Sequence, residues 1–178
     1  MANNAAPENP QAQVKDPLHW SSIPSVAAAA ETIAVPDVKN AAYLSLANRR
    51  AELETLSTWV AQVCENLEIA TGTALRIDLV LAEAVQNIID YAYPDGAART
   101  IGIAFCHRPD SQLVQLRIED DGAYFDPTQA PDASLGHDLQ SASVGGLGIH
   151  LIRSYCRECS YQRIGHKNVL TLVVSCAA

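Results

Sequence analysis

The chain has 178 residues, 48% of them hydrophobic and 18% charged, which is enough apolar material for one globular domain with its own core. Its formal net charge of −8 comes with no basic cluster, so a phosphate backbone would be repelled and DNA or RNA is excluded as the natural partner. No apolar run reaches the ~20 residues that cross a bilayer, and the polar, proline-bearing residues 1–20 lack the basic and apolar regions of a secretory signal.

Residues 1–40 are rich in Asn, Pro, Gln and Ala and read as a flexible N-terminal extension, because such a composition buries too little apolar area to offset ordering entropy. A helical turn at 27–30 has nothing beside it to pack against. The folded domain is expected over 41–178. Tyr43-Leu-Ser-Leu46 alternates and predicts a first strand. Leu53, Leu56, Val60, Val63 and Leu67 recur at three- and four-residue steps and predict an amphipathic helix over 52–67. Thr71-Gly72-Thr73 should break it, with Thr73 capping a second helix over 74–91 that Pro94-Asp95-Gly96 stops.

Two strands follow at 100–106 and 113–119, joined by a hairpin loop at 108–111. Residues 127–143 are polar, aperiodic and long for a connection, which marks a lid. A helix is predicted at 147–156, then a closing hairpin of strands 159–164 and 168–174 around Gly165-His166-Lys167. These elements give an α+β fold, a two-layer sandwich with helices on one face of a mixed, mostly antiparallel sheet. Five cysteines, an odd number, fit a reducing cytoplasm better than a disulfide framework. Cys156-Arg-Glu-Cys159 has no second pair to complete a tetrahedral zinc site, so its members read as ordinary thiols.

Three stretches carry chemistry. In Glu83-Ala-Val-Gln-Asn87, Glu83, Asn87 and the nearby Asp90 share one side of the second helix, with Leu81, Val85, Ile88 and Ile89 on the other. That stripe is either a solvated face or a working one. In the second case Asn87 supplies a neutral oxygen to a hard cation such as Mg²⁺, and Glu83 accepts a proton from an attacking hydroxyl. Asp120-Asp121-Gly122 ends an apolar strand. It is an ordinary turn or a base-recognition site, in which a buried Asp accepts from an exocyclic amine and Gly122 lets the backbone approach a flat ring. Gly145-Gly146-Leu147-Gly148 opens a helix, as a hinge or as a cradle whose amides and positive helix end hold phosphate. It is neither a P-loop nor a dinucleotide fingerprint.

Taken in order, Glu83-Ala-Val-Gln-Asn87-Ile-Ile-Asp-Tyr-Ala-Tyr93, Glu119-Asp-Asp-Gly-Ala-Tyr-Phe-Asp-Pro127 and Gly145-Gly-Leu-Gly-Ile-His-Leu-Ile-Arg153 carry a resemblance. From about Tyr43 onward the chain resembles the histidine kinase-like ATPase domain of histidine kinases, gyrase, Hsp90 and mismatch-repair proteins, the Bergerat fold. Within that superfamily it is most similar to the anti-sigma factor serine/threonine kinases. The resemblance implies ATP and Mg²⁺ as cofactors, with Glu83 as general base and Asn87 holding the metal. Asp120 would bind the adenine amine beside Gly122, Asp90 would join the nucleotide-binding set, and Gly145, Gly146, Leu147 and Gly148 would wrap the phosphates.

The implied reaction moves the γ-phosphoryl group to a serine or threonine of an anti-anti-sigma (STAS) partner. The same protein would otherwise hold a sigma factor or a similar signalling protein inactive, and relatives of this kind are often homodimers. Two departures stand out. Residues 138–144 lack the basic residue that many relatives carry in the lid, which leaves Arg153 as the nearest cation. Arg49 and Arg50 are either partner contacts by analogy or a solvated helix start. A histidine-kinase-type catalytic domain is a weaker reading, since the only early histidine, His19, lies in the proline-bearing tail rather than on a long helix. A non-catalytic ATP-binding partner-switch module is the remaining alternative.

Overall fold

The computed structural model describes residues 40–129 and 146–177. Strand β1 (Ala41–Ala47) leads into α1 (Glu52–Asn66) and α2 (Thr71–Tyr91). Strands β2 (Thr100–Arg108) and β3 (Leu113–Asp120) follow, then α3 (Gly146–Tyr155), β4 (Glu158–Ile164) and β5 (Lys167–Ser175). The five strands form one sheet in the order β1-β2-β3-β5-β4, and the fold is α+β as the sequence predicts.

Two details differ from expectation. The sheet is not mixed: every neighbouring pair is antiparallel among the described residues. The reason is a skipped position. The segment after β3 passes through α3 and enters the sheet two places away at β4, and the β4–β5 hairpin then returns β5 into the gap beside β3. The break between the first two helices also falls earlier than Thr71. Glu68 takes a left-handed φ of 53°, and the Ile69 amide donates to Cys64 O at 2.9 Å, closing α1 there. Thr71, Gly72 and Thr73 form the first turn of α2. Thr73 is buried, and its hydroxyl accepts from Arg76 at 3.0 Å instead of capping a helix.

The core lies between the helices and one sheet face. Phe105, Leu116 and Leu172 stand opposite one another across β2, β3 and β5. They pack in one cluster with Leu56 and Val60 of α1 and Ile77, Val80, Leu81 and Val85 of α2. Trp59 meets Phe105 edge-on, with ring centroids 6.2 Å apart. Fully burying each such side chain is worth about 1.5–3 kcal/mol, so this shared face fixes how α2 lies on the sheet. That placement sets the candidate site, because α2 and the end of β3 supply its residues. Cys156 and Cys159 are free and half-buried; burial pushes their thiols up to about 12 and about 11, so both stay protonated near neutrality. Among the described residues no helix is long and apolar enough to cross a membrane.

Candidate functional site

A cavity opens between the C-terminal half of α2, the end of β3 and the start of β5. Its walls include Asn87, Ile88, Tyr91, Asp120, Phe125 and Asn168. Asp120 belongs to the core-facing parity of β3, in line with Leu116 and Ile118, and is only 6% exposed. Asp121 is half-exposed and lies 3.6 Å from the Arg99 guanidinium. The strand's two-residue period therefore selects Asp120 for the cavity and Asp121 for the surface.

A buried carboxylate needs partners. Asp120 Oδ1 accepts from the Gly122 amide and from Asn168 Nδ2, both at 2.8 Å. Burial raises the Asp120 pKa above its ordinary value, while the bonds from Asn168 and Gly122 and the charge of Arg163 pull it back. Asn168 sits directly across from Asp120 in the β3–β5 ladder and is itself 5% exposed. Its amide orientation is fixed from both ends. Nδ2 donates to Ala123 O at 3.0 Å as well as to Asp120, and Oδ1 accepts from Tyr161 Oη at 2.7 Å and from Arg163. Arg163 also donates to Gly122 O at 3.0 Å. Among the described residues all the hydrogen bonds to Asp120 fall on Oδ1, which leaves Oδ2 to accept from a ligand.

Gly122 is required sterically. A Cβ there would stand 2.5 Å from Ala92 Cβ, 2.7 Å from Ala92 O and 2.9 Å from Asp120 Oδ1. The Ala123 amide donates to Ala92 O at 2.8 Å, so the turn after β3 is pinned to the end of α2. Asp120 and its close-packed glycine make one polar acceptor in an otherwise apolar slot, which suits a flat heterocycle with an exocyclic amine.

One and two turns earlier on α2, Asn87 and Glu83 face α3. A Cβ at Gly148 would overlap Glu83 Oε2 and stand 3.4 Å from Asn87 Nδ2. The two helices thus meet through a glycine, and both side chains gather at the N-terminal end of α3, where phosphate binds most readily. Asn87 is half-buried and lines the cavity, so it can offer one oxygen to a Mg²⁺ whose other ligands are phosphates and water. Asp90, from the same stripe, is instead held by Arg50 at 2.9 and 3.0 Å and does not line the cavity. The backbones of Gly146 and Leu147 form the first turn of α3. Gly145 and most of the expected lid lie outside the described residues.

Arg153, the cation nearest the glycines in sequence, donates to Pro127 O and Thr128 O, each at 3.1 Å. It ties α3 to the segment following β3. Asn168, Tyr161 and Arg163 belong to none of the three motifs, yet they complete the surroundings of Asp120. A signal for Asn168 was present: it shares the core-facing parity of Leu170, Leu172 and Val174, where a polar residue calls for a partner.

A helix-borne Glu and Asn, a buried Asp at the end of the neighbouring strand and a glycine-opened helix thus surround one cavity in a two-layer α+β fold. The profile of the histidine kinase-like ATPase domain matches residues 46–174, so the chain belongs to that family. The serine/threonine-protein kinase BtrW of Bordetella bronchiseptica is 39% identical over 100 residues, covering 55% of this chain and 69% of that protein. The resemblance to anti-sigma factor serine/threonine kinases read from the motifs is thereby borne out. Among solved structures, the SiaB–SiaC complex from Pseudomonas aeruginosa aligns at 18% identity with a TM-score of 0.49, over 74% of this chain and 88% of that one. The histidine kinase AdeS of Acinetobacter baumannii aligns at 18% identity with a TM-score of 0.39, over 77% and 68%.

Proposed function

We propose that this protein is a cytoplasmic serine/threonine kinase that binds ATP with Mg²⁺ and phosphorylates an anti-anti-sigma (STAS-type) partner. In doing so it switches a sigma factor or a related signalling protein. The observation that carries this reading is the placement of Glu83. Its carboxylate packs on Gly148 at the start of α3, one turn from Asn87, where a γ-phosphate end would lie if the base occupies the Asp120 cavity.

The donor set fits the nucleotide: a buried acceptor with a free oxygen, a glycine at 148 where a Cβ would press on Glu83 and Asn87, and an amide oxygen for the metal. ATP supplies the transferable phosphoryl group, and Mg²⁺ neutralises its charge. Asp120 Oδ2 accepts from the base amine, and Gly122 lies beside the ring. Asn87 holds the metal, while Gly145, Gly146, Leu147 and Gly148 present backbone amides to phosphate. Glu83 takes the proton of the partner's hydroxyl as its oxygen bonds to phosphorus and ADP leaves with the bridging electrons. Such transfer depends mainly on positioning and charge, so one base and one metal suffice.

The test incubates the protein with labelled ATP and the small anti-anti-sigma proteins encoded near it, then maps the label. Label on a partner serine or threonine is expected. Label on a histidine of this chain would point to histidine-kinase chemistry. Nucleotide binding with no transfer would leave a binding module.

A further inference from the structure

The hydrogen bonds around Asp120 fix more than its position; they fix which kind of atom the cavity shows to a ligand. Asn168 Nδ2 has two hydrogens, and both are engaged, by Asp120 Oδ1 at 2.8 Å and by Ala123 O at 3.0 Å. Its Oδ1 has two lone pairs, and both are taken, by Tyr161 Oη at 2.7 Å and by the Arg163 guanidinium. Turning this amide over would set its oxygen against those of Asp120 and Ala123, and its NH₂ against two donors. The amide is therefore held one way round. Asp120 Oδ1 receives two N–H groups, from Asn168 and Gly122, whereas Oδ2 receives none. Oδ2 is not sealed within the protein and opens into the cavity that Asp120 lines. The wall residues of this network turn their donors inward. The Ala123 amide bonds Ala92 O at 2.8 Å, Asn168 Nδ2 bonds Asp120, and Tyr161 Oη bonds Asn168.

Taking the nucleotide site proposed above as given, we propose that Asn168 is the positioning residue that makes it select 6-aminopurine over 6-oxopurine nucleotides. Adenine carries an amine at position 6, which donates to Asp120 Oδ2. A 6-oxopurine carries an oxygen there, which would meet Oδ2 oxygen to oxygen, with the donors of the network turned away. A site built around one hydrogen bond rejects the analogue that lacks it far more strongly than an apolar pocket rejects a change of shape. The same frame has a second consequence. In Asp120→Asn the N–H groups of Asn168 and Gly122 remain aimed at the Oδ1 position, so the introduced amide must place its oxygen there. Its NH₂ then takes the place of Oδ2 and faces the ligand as a donor. One atom is exchanged, and the base preference inverts. Without Asn168 only the Gly122 amide orients the group at 120, and the selectivity weakens.

The experiment titrates the full-length chain calorimetrically with ATP and with inosine triphosphate, each with Mg²⁺, and reads the ratio of the two affinities. General loosening of the site weakens both nucleotides alike and leaves that ratio unmoved. The native protein should prefer ATP by at least ~100-fold. Asp120→Asn should prefer inosine triphosphate by at least roughly tenfold, and Asn168→Ala should shrink the native preference by at least roughly tenfold. Equal binding of both nucleotides by the native protein, as when the ring slides to offer its N1–H to Oδ2, would overturn the proposal and leave an ATP site standing. So would an Asp120→Asn chain that loses ATP without coming to prefer inosine triphosphate, or an Asn168→Ala chain with the native ratio. Binding of neither nucleotide by the native protein would remove the nucleotide site itself, and the proposal with it. Should Asn168→Ala fail to fold, Tyr161→Phe takes its place, because it removes one of the two donors that hold the Asn168 amide. The ratio should then fall by at least about threefold, and an unchanged ratio overturns the proposal.

Discussion

The two ends of the candidate site are built on opposite principles. At the base end, Asp120, Asn168, Gly122, Tyr161 and Arg163 satisfy one another within the protein, leaving one carboxylate oxygen for a ligand. At the phosphate end, Glu83 and Asn87 are half-buried and lie against Gly148 of α3. The lesson is physical. Recognising a flat ring needs a rigid acceptor prepared in advance, whereas handling triphosphate and metal needs side chains whose partners arrive with the ligand. Perturbing the base end should therefore affect both stability and affinity. Perturbing the phosphate end should affect chemistry and leave the fold nearly intact.

The largest effect on affinity is expected from Asp120→Asn. Losing a charged acceptor costs about 1.5–3 kcal/mol, roughly a 10- to 150-fold loss of ATP affinity by calorimetry. Affinity for inorganic triphosphate should hold. Next comes a matched pair of glycines. Gly122→Ala drives a Cβ against the Ala92 carbonyl, which cannot swing away, and should cost about 1–3 kcal/mol in denaturant melts. Gly148→Ala meets the tip of the flexible Glu83 side chain, so stability should change by less than about 0.5 kcal/mol while Glu83 is displaced and transfer falls. Equal destabilisation by the two would erase the contrast between the ends.

Asn168→Ala removes a bond to the ionised form of Asp120 and so raises a pKa that burial has already raised. The sign for stability follows from the raised value: Asp120's contribution is present at low pH and is lost as pH rises through its folded pKa. Adenine recognition runs the other way, because it needs the carboxylate. ATP affinity should fall as pH drops through that raised pKa, and in Asn168→Ala the fall should begin at higher pH. A pH profile of ATP affinity that Asn168→Ala does not move would remove Asn168 as the residue that tunes Asp120. Asn87→Ala is the smallest of the affinity effects. It should lose only the Mg²⁺-dependent part of binding, roughly tenfold, which titrations with and without Mg²⁺ would show.

Much of this was legible in the sequence, for stated reasons. Helical spacing from Leu53 to Val63 and strand alternation from Leu113 to Glu119 each write burial directly into the chain, so α1 and β3 were placed to within a residue or two. The choice of Asp120 over Asp121 came with the family resemblance, and the strand parity and burial seen in the structure agree with it. What escaped was non-local. Asn168 meets Asp120 only through a strand register across 48 positions. The antiparallel order depends on a skipped place in the sheet, which no local pattern records. Thr71-Gly72-Thr73 looked like a break because threonine and glycine favour turns. The helix keeps all three because Thr73 is buried beneath Arg76 and the true turn is made by Glu68. The pairing of Asp90 with Arg50 is likewise a tertiary event, invisible in the stripe that grouped Asp90 with Glu83 and Asn87.

The central claim is that Glu83 performs chemistry while Asp120 performs recognition. One paired measurement tests it most directly: ATP affinity and single-turnover phosphoryl transfer to the partner, both in Glu83→Gln. Loss of a general base is worth about 10²–10⁴ in rate, so transfer should collapse by that factor with ATP affinity within about threefold of the native protein. Transfer at the native rate, with ATP still bound, would contradict the account.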